Sequence, residues 1–246
     1  MGEKKREFAI DEARELVANR LLWPHVRDFL WDFAPQVHES WLEDIRGRET
    51  MDAGREAVLS QVSRLASSPR VKRFILNQLG VEPCFHDFPK DDGSRLALLD
   101  GATLLAIVRW LGALACADEL RKVTDGKTVR ALKAALPGVY PEVFGYTEYF
   151  RGLEVWKVGS LVGEPNIATQ VEAIGRALLV SAVEALPPQV QFRLNLKLPS
   201  AFQPSKLPNL QTSQHPNIQK SKLPLQQLLW KLLKLRFPEA YSLCCL

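Results

Sequence analysis

The sequence has 246 residues, of which 46% are hydrophobic and 24% are charged, and this composition is typical of a soluble globular protein. A chain of this length can bury a large core without disulfides or bound metal. A membrane span is not expected, because Arg109 interrupts the most apolar stretch, Leu96–Ala117, before it reaches the about 18 residues that a span requires. The charged first residues lead into no apolar signal core, and the four cysteines show no spacing typical of a disulfide framework or zinc site, so a cytoplasmic protein is expected.

Net charge is unevenly spread along the chain. The whole sequence carries +4, yet the residues from Pro187 to the end include eight lysines and arginines and a single acid, Glu239. A basic tail of this kind predicts an acidic partner, an anionic membrane surface or nucleic acid, and charge alone does not choose among the three. A solvated linker would carry the same charges, so that interpretation stays open as well.

Apolar residues recur at spacings of three and four as far as Leu186, which predicts helices with one buried stripe. A first helix is expected over Asp11–Leu22, after which Pro24 interrupts or restarts it, and its apolar stripe then continues until Pro35 ends it. The stretch from Pro35 to Leu42 is rich in aromatic residues and is expected to be irregular.

Further helices follow in the first half of the chain. One is expected to start at Asp52, and the next to start at Pro69, with Ser68 as its cap, and to end at Gly80. After a loop rich in proline, aspartate and glycine, Ser94–Ala117 is the most hydrophobic segment of the sequence. Because this segment is apolar nearly all round, we expect it to be the central, most buried helix of a bundle.

A short helix capped by Asp125 and ending near Leu136 is expected next, followed by a long one over Pro165–Leu186. The pattern then changes, because apolar and polar residues alternate strictly over Val190–Leu198, which predicts a strand. The predicted fold is therefore mainly α: a multi-helix bundle with at most one or two short strands, in which residues 1–199 form one helical domain that ends in this strand.

The tail has two predicted parts. Residues 200–224 are rich in proline, serine, lysine and glutamine and are expected to form a linker. Residues 225–246 begin with an amphipathic helix over Leu225–Phe237. The apolar stripe of this helix consists of Leu225, Leu228, Leu229, Leu232 and Leu233. An exposed leucine stripe invites aggregation, so the helix is expected to dock, either on its own bundle or on a partner.

Motifs for nucleotide and metal binding are incomplete. The segment Gly126–Thr128 matches the end of a phosphate-binding loop, but Arg121 stands where that motif needs a glycine, and a helix precedes it where the motif needs a strand. Cys84, His86 and Asp87 are close in sequence, but no second cluster supplies the further ligands that a zinc site needs. We therefore assign no catalytic, cofactor-binding or metal-binding residue, and an enzyme is not expected.

Two segments are candidates for partner binding. The first is the aromatic-rich stretch that starts at Phe33, and its candidate residues are Pro35, His38, Ser40, Trp41 and Leu42. An alternative for this stretch is a packed corner in which Trp41 fills the core while His38 and Ser40 satisfy backbone groups. The second segment is the tail helix, and its candidate residues are Leu228, Leu229, Leu232 and Leu233.

The order of these features resembles the type III secretion sorting-platform proteins called the SctK or YscK family. The matching pieces, in chain order, are Phe33–Leu42, Leu96–Ala117, Val171–Leu186 continuing into Phe192–Pro199, and Leu225–Pro238. The resemblance implies a non-catalytic, mainly helical protein without a cofactor, located in the bacterial cytoplasm and, when assembled, at the cytoplasmic face of the inner membrane. It also implies an injectisome adaptor, needed for effector secretion, that links an SctD-like inner-membrane ring protein to an SctQ-like pod protein and binds no nucleic acid.

Two other functions compete with this adaptor. A peripheral adaptor would bind an anionic membrane or nucleic acid through the basic tail, and its binding would fall steeply with rising salt. A hydrolase would require the fold to bring His38 or His86 beside a carboxylate and a thiol or hydroxyl. The positions of these two histidines in the folded chain therefore decide whether the hydrolase hypothesis survives.

Overall fold

The computed structural model describes residues 20–48, 68–84, 86–89, 93–150, 166–200 and 222–245, and it describes the backbone alone for residues 44–48 and 222–224. Helices account for all of the regular structure within these ranges, and no strand occurs in them. The mainly α fold predicted from the periodicity is therefore confirmed. None of the helices in the described ranges is both long enough and apolar enough to cross a membrane.

The α-helices of the described ranges follow one another through the whole chain. In chain order they are α1 (20–30), α2 (Glu39–Arg48), α3 (Pro69–Gln78), α4 (Gly101–Ala115), α5 (Ala117–Arg121), α6 (Gly126–Ala135), α7 (Ile167–Ala182), α8 (Pro188–Leu196), α9 (Lys222–Arg236) and α10 (Pro238–Cys245). Short 3₁₀ helices lie at Ala34–Gln36, Ser94–Leu98, Glu142–Gly145 and Thr147–Phe150.

Two compact units share these elements. Unit 1 takes its described residues from Met1–Gly101, Leu186–Pro199 and Pro238–Leu246. Unit 2 takes its described residues from Ala102–Ala185 and Ser200–Phe237. Each unit is therefore assembled from segments that lie far apart in the sequence, and the chain passes from one unit to the other several times.

Three phenylalanine rings form the centre of unit 1. The ring centroid of Phe29 lies 5.6 Å from that of Phe33 and 5.2 Å from that of Phe88, and all three side chains are buried. Both contacts are edge-to-face, an arrangement that aromatic pairs prefer. Helices α8 and α10 pack against the 3₁₀ helix Ser94–Leu98, and α3 packs against Ala34–Gln36. Short elements in unit 1 thus surround an aromatic core.

The strand predicted over Val190–Leu198 is wrong, because these residues belong to helix α8 and the turn after it. Pro187 and Pro188 occupy the N-cap and the first helical position, where the missing N–H of proline is tolerated. One face of α8 is buried at helical spacing, and its members are Val190, Arg193, Leu194 and Lys197. Because two members of this buried face are charged, the sequence alternates in polarity and resembles a strand.

The apolar helix predicted over Ser94–Ala117 is also shorter than expected. Its first residues form a 3₁₀ helix, Leu99 is extended, and α4 begins only at Gly101. The carbonyl oxygens of Ala97 and Leu99 accept hydrogen bonds from Nζ of Lys197 at 2.6 Å and 2.8 Å, instead of from the next turn of a helix. Helix α4 is nevertheless buried along most of its length, as predicted for the whole segment.

Unit 2 is built on a close crossing of α4 and α7. At Gly112 and Gly175 the two backbones touch, and a Cβ on either glycine would overlap the backbone of the other helix. Near this crossing Nε of Arg109 donates to a carboxylate oxygen of Glu172 at 2.6 Å, which forms an ion pair between the two helices. Helices α6 and α9 also pack against α7. Helix α7 thus contacts α4, α6 and α9 of unit 2.

Several predicted helix boundaries are confirmed. Helix α3 begins at Pro69, and Gly80 follows it with a φ of +69°, as expected for a glycine that ends a helix. Asp125 caps α6, because its carboxylate accepts the backbone N–H three residues on at 2.8 Å. The irregular stretch after Pro35 is shorter than predicted, since α2 already begins at Glu39.

Of the remaining helix predictions, two are confirmed, one is wrong and the others lie outside the described residues. Helix α7 covers most of the predicted Pro165–Leu186, and α9 covers Leu225–Phe237 except for its last residue. The interruption predicted at Pro24 is wrong, because helix α1 continues through this residue without a break. The first part of the helix expected from Asp11, the helix expected from Asp52 and all but the ends of the linker over 200–224 lie outside the described ranges.

Candidate protein-docking site

The aromatic-rich corner before α2 is pinned to the end of α8. The backbone N–H of His38 donates to the carbonyl oxygen of Leu196 at 2.8 Å. Nε1 of Trp41 donates to the carbonyl oxygen of Leu198 at 2.8 Å, across 157 positions of sequence. The indole therefore holds together two parts of unit 1, which is the role expected of a packed corner.

The imidazole of His38 is engaged locally. Its Nδ1 accepts from the backbone N–H of Ser40 at 3.2 Å and lies 3.0 Å from the hydroxyl of the same serine. A nucleophilic serine also needs a group that orients the imidazole, and within the described residues no carboxylate contacts His38. His86 packs its ring against a buried phenylalanine, with 5.0 Å between the centroids. Of the other corner candidates, Pro35 is exposed and Leu42 is half-buried.

The leucine stripe of the tail helix is buried within unit 2. Leu229, Leu232 and Leu233 are fully buried, and Leu228 is half-buried. Because α9 packs against α7, this stripe is occupied by the chain itself. The candidate leucines therefore contribute to the core of unit 2, and they do not offer a partner an exposed surface.

Arg193 is a buried cation of unit 1 that the sequence analysis did not identify. Its side chain is 3% exposed, and burial lowers the pKa of its guanidinium. One terminal nitrogen donates to the carbonyl oxygen of Phe29, and the other donates to that of Glu82 at 2.9 Å. The guanidinium carbon also lies 5.4 Å and 5.2 Å from the ring centroids of Phe29 and Phe33. Carbonyl oxygens and aromatic faces, and no carboxylate, thus surround this charge in the described part of unit 1.

Lys197, one helical turn later, is buried in the same way. Its Nζ donates to two backbone carbonyls and lies 5.2 Å from the ring centroid of Phe29. Burial lowers the pKa of this amine to about 7, and Asp100 opposes that shift only in part. A neutral amine retains two N–H groups, which suffices for both carbonyls. The lysine can therefore donate both hydrogen bonds inside unit 1 whether its amine is charged or neutral.

A signal for these two cations was present in the sequence. Arg193 and Lys197 are four positions apart. Val190 lies three residues before Arg193, and Leu194 lies three residues before Lys197. This is the spacing of one helix face, and the two prolines before it are compatible with a helix start. The strict alternation of polarity outweighed that spacing, because charged residues are rarely fully buried.

The cysteines provide no candidate metal centre in the part of the chain that the structure describes. Cys84 is buried, and burial raises the pKa of its thiol while the nearby Arg193 acts in the opposite direction. Burial raises the pKa of Cys116 and of Cys244 to about 12. Thiolates are the nucleophilic and metal-binding form of cysteine, so raised pKa values make these thiols inert at neutral pH.

The largest exposed apolar groups of unit 1 include two tryptophans. Trp23 on α1 is 55% exposed and Trp31 just after α1 is 60% exposed, and their ring centroids are 5.7 Å apart. Beside this tryptophan pair, Nζ of Lys72 forms an ion pair with Asp32 at 2.5 Å. Exposed tryptophan is unusual on a monomer and is enriched at protein interfaces. The described residues thus define an all-helical protein with a surface suited to protein–protein contact.

The comparison with known families identifies this helical protein further. A model of the family described as YOP proteins translocation protein K (YscK) matches residues 47–244, which is most of the chain. The chain therefore belongs to the YscK family, which is the SctK family of type III secretion proteins. Members are structural components of a secretion system, associated with protein transport and virulence. No curated protein and no solved structure matches the chain.

The resemblance inferred from the order of sequence features is thereby confirmed. Its first piece, Phe33–Leu42, and the tryptophan pair both precede the matched range. The buried cations of α8 and the leucine stripe of α9 lie inside it.

Proposed function

We propose that this protein is a structural adaptor of the injectisome, which joins an SctD-like inner-membrane ring protein to an SctQ-like pod protein at the cytoplasmic face of the inner membrane. Membership of the YscK family carries the proposal, because it connects the chain with type III secretion. Helical units suit such a role, since they can present separate docking surfaces on a firm scaffold. Modest individual contacts suffice when many copies act together around a ring, through effective concentration.

The tryptophan pair supports a role in protein docking. Trp23 and Trp31 expose more than half of their side chains, and tryptophan is among the residues that contribute most to binding energy at protein interfaces. A bound partner would remove this apolar surface from water, which is favourable.

The tail cations favour a protein partner over a polyanion. Arg193 and Lys197 are buried, Lys231 donates to a backbone carbonyl at 2.7 Å, and Arg236 forms an ion pair with Glu142 at 2.8 Å. A tail that binds membrane or nucleic acid electrostatically would present such charges to solvent. Four of the eight basic residues counted from Pro187 onward thus make contacts within the fold, and two of these four are buried while Lys231 remains exposed. Burial of part of the basic excess weakens the alternative of a polyanion-binding adaptor.

Binding of the full chain to each purified partner tests the adaptor. We expect the chain to capture the pod protein and the cytoplasmic domain of the ring protein from the same bacterium, and to bridge the two in one complex. Binding that depends on apolar contact should change little between low and moderate salt, whereas tail-driven binding to a polyanion should fall steeply. Capture of neither protein would overturn the proposal.

The double variant Trp23→Ala/Trp31→Ala tests the surface. Both side chains are exposed, so the variant should fold, and we expect at least about a tenfold loss of affinity for one of the two partners. Leu235→Ala is the control, since Leu235 is an exposed apolar residue of unit 2. Equal affinities for the double variant and the control would remove the tryptophan pair from the adaptor mechanism.

A further inference from the structure

A cleft of about 330 Å³ opens in unit 1 between the turn after α3 and the start of α8. Residues from Gly80 to Glu82 form one side, and Pro188, Gln189, Phe192 and Arg193 form the other. This volume is at the small end of the range for ligand sites and suits one or two side chains of a bound segment.

One side of the cleft carries a positive charge, Arg193, which has no counter-charge among the residues that the structure describes. Arg193 is 3% exposed and, within the described residues, forms no ion pair. Its Nε is buried and has no hydrogen-bond acceptor there. Lys197 lies one turn further along the same helix, where its Nζ donates to two carbonyl oxygens and Asp100 offsets part of its charge. The positive end of the α8 dipole, at Pro188, adds to the same field.

The one acidic residue of the cleft does not neutralise this field. Glu82 is exposed, and it is the backbone carbonyl of Glu82, not its carboxylate, that accepts from the guanidinium of Arg193 at 2.9 Å. A carboxylate that entered the cleft would therefore meet Arg193, a desolvated cation that no described carboxylate pairs with, and in such surroundings electrostatic attraction is strong.

The rim of the cleft is apolar. Phe192 is 40% exposed, and Val81 and Pro188 line the cleft with it. An occupant that matches both features carries an apolar side chain against Phe192 and a carboxylate near Arg193. We propose that this cleft docks an acidic segment of a partner protein through these two contacts. The inference rests on the proposed function, because the partner it serves is a component of the secretion apparatus.

A small probe tests the cleft without any partner. The probe is 3-phenylpropionate, which places a carboxylate next to an aromatic ring, and the matched neutral control is 3-phenylpropanamide. We expect the carboxylate to shift the backbone amide NMR signals of Gln189 and Phe192 in the full chain, and the amide to bind at least about tenfold more weakly. Equal binding of the two probes, or shifts located elsewhere, would overturn the proposal.

A charge substitution then tests partner docking. Gln189→Glu places a carboxylate at the cleft, where it competes with the incoming one, and an acidic residue near a helix N-terminus does not harm the fold. The control Gln227→Glu makes the same change at an exposed position of α9. We expect Gln189→Glu to weaken binding of the pod protein or of the ring domain by about tenfold and Gln227→Glu to leave it unchanged.

The outcomes separate this inference from the adaptor proposal. If the wild-type chain captures both partners and Gln189→Glu captures them equally well, the cleft is not the docking site and the adaptor stands. If the wild-type chain captures neither partner but the cleft binds the charged probe selectively, the adaptor fails and the ligand class of the cleft stands. Affinity for anionic vesicles is measured for the wild-type chain and for Gln189→Glu. A clearly weaker affinity of the variant would assign the cleft to a lipid headgroup and would overturn the proposal of a docked protein segment.

Discussion

Gly112 on α4 and Gly175 on α7 lie opposite each other where two helix backbones touch. A methyl group on Gly112 would lie 1.9 Å from the carbonyl oxygen of Val171, and one on Gly175 would lie 1.8 Å from that of Val108. Both obstacles are backbone atoms, which cannot move aside as the end of a flexible side chain can. The crossing therefore requires glycine at both positions.

Replacement of either glycine by alanine should destabilise unit 2 strongly. Overpacking a core costs about 1–3 kcal/mol and occasionally more, and a clash with backbone belongs at the upper end of that range. We expect Gly112→Ala and Gly175→Ala each to lower the free energy of unfolding by about 3 kcal/mol, measured by urea denaturation followed by circular dichroism. Gly126→Ala is the control, since no atom lies within 4 Å of a Cβ there. A wild-type urea midpoint for Gly112→Ala would show that the two helices are further apart.

The leucines of α9 should differ in importance according to their burial. Leu229 is 0% exposed and Leu235 is 45% exposed, although both lie on the same helix. Truncation of a buried leucine to alanine costs about 2–5 kcal/mol. We therefore expect a marked fall of the melting temperature for Leu229→Ala and little change for Leu235→Ala. Similar melting temperatures for the two variants would mean that α9 does not pack against α7 in solution.

Arg236 should not tolerate a change to lysine. Its guanidinium carbon lies 4.4 Å from the ring centroid of Trp110, and its nitrogens donate to Tyr146 at 3.1 Å and to Glu142 at 2.8 Å. A lysine keeps the charge but loses the planar stacking and the forked donor geometry. We expect Arg236→Lys to lower the free energy of unfolding by about 1 kcal/mol. The control is Lys234→Arg, the reverse exchange at an exposed position of the same helix, and it should not change the free energy of unfolding. An equal change of that free energy in both variants would contradict the stacked geometry of Arg236.

Lys197 should make stability depend on pH. Burial lowers its pKa from 10.5 to about 7, so between these values the unfolded chain holds a proton that the folded chain does not. The free energy of unfolding therefore rises with pH across this window, by at most about 1.4 kcal/mol per pH unit. Below pH 7 both states are protonated, and the contribution of this group to the pH dependence disappears.

Comparison with Lys197→Met isolates this effect. Methionine keeps much of the buried chain but cannot titrate, so the difference between the two proteins cancels the other ionisable groups. Urea denaturation at several pH values from 6 to 9 should give a steeper rise of stability for the wild-type protein than for the variant. Parallel pH profiles would assign an ordinary pKa to Lys197.

Helices with a conventional apolar stripe could be predicted from the sequence. Pro69 and Gly80 bracket α3, and Asp125 caps α6, because each of these residues acts through local backbone geometry that the sequence states directly. The buried length of α4 also followed from its composition alone. Local sequence signals were therefore sufficient to predict an element where its own residues determine its ends and its burial.

The predictions that were wrong concern elements whose structure involves contacts between residues distant in sequence. At the end of the 3₁₀ helix before Gly101, the carbonyl oxygens of Ala97 and Leu99 accept from Nζ of Lys197, about a hundred positions further on. In helix α8, Arg193 is buried and donates to the carbonyl oxygen of Phe29, a contact across 164 positions. Such tertiary contacts override local preference, and the helical spacing of Arg193 and Lys197 does not by itself reveal what these side chains contact. For the same reason the exposed cleft beside Phe192 had no signature in the sequence.

Because each unit combines segments that lie far apart in the sequence, the order in which segments leave the ribosome affects when each unit can fold. Helix α4 is the most apolar described helix, yet α9, which packs on α7 in its unit, and α10, which packs on the 3₁₀ helix of unit 1, are synthesised more than a hundred residues later. Neither unit can close before those helices are made, and contacts over long sequence separations form slowly. Helix α4 therefore leaves the ribosome before its crossing partner α7, and the apolar surface exposed in this interval makes the nascent chain prone to aggregation.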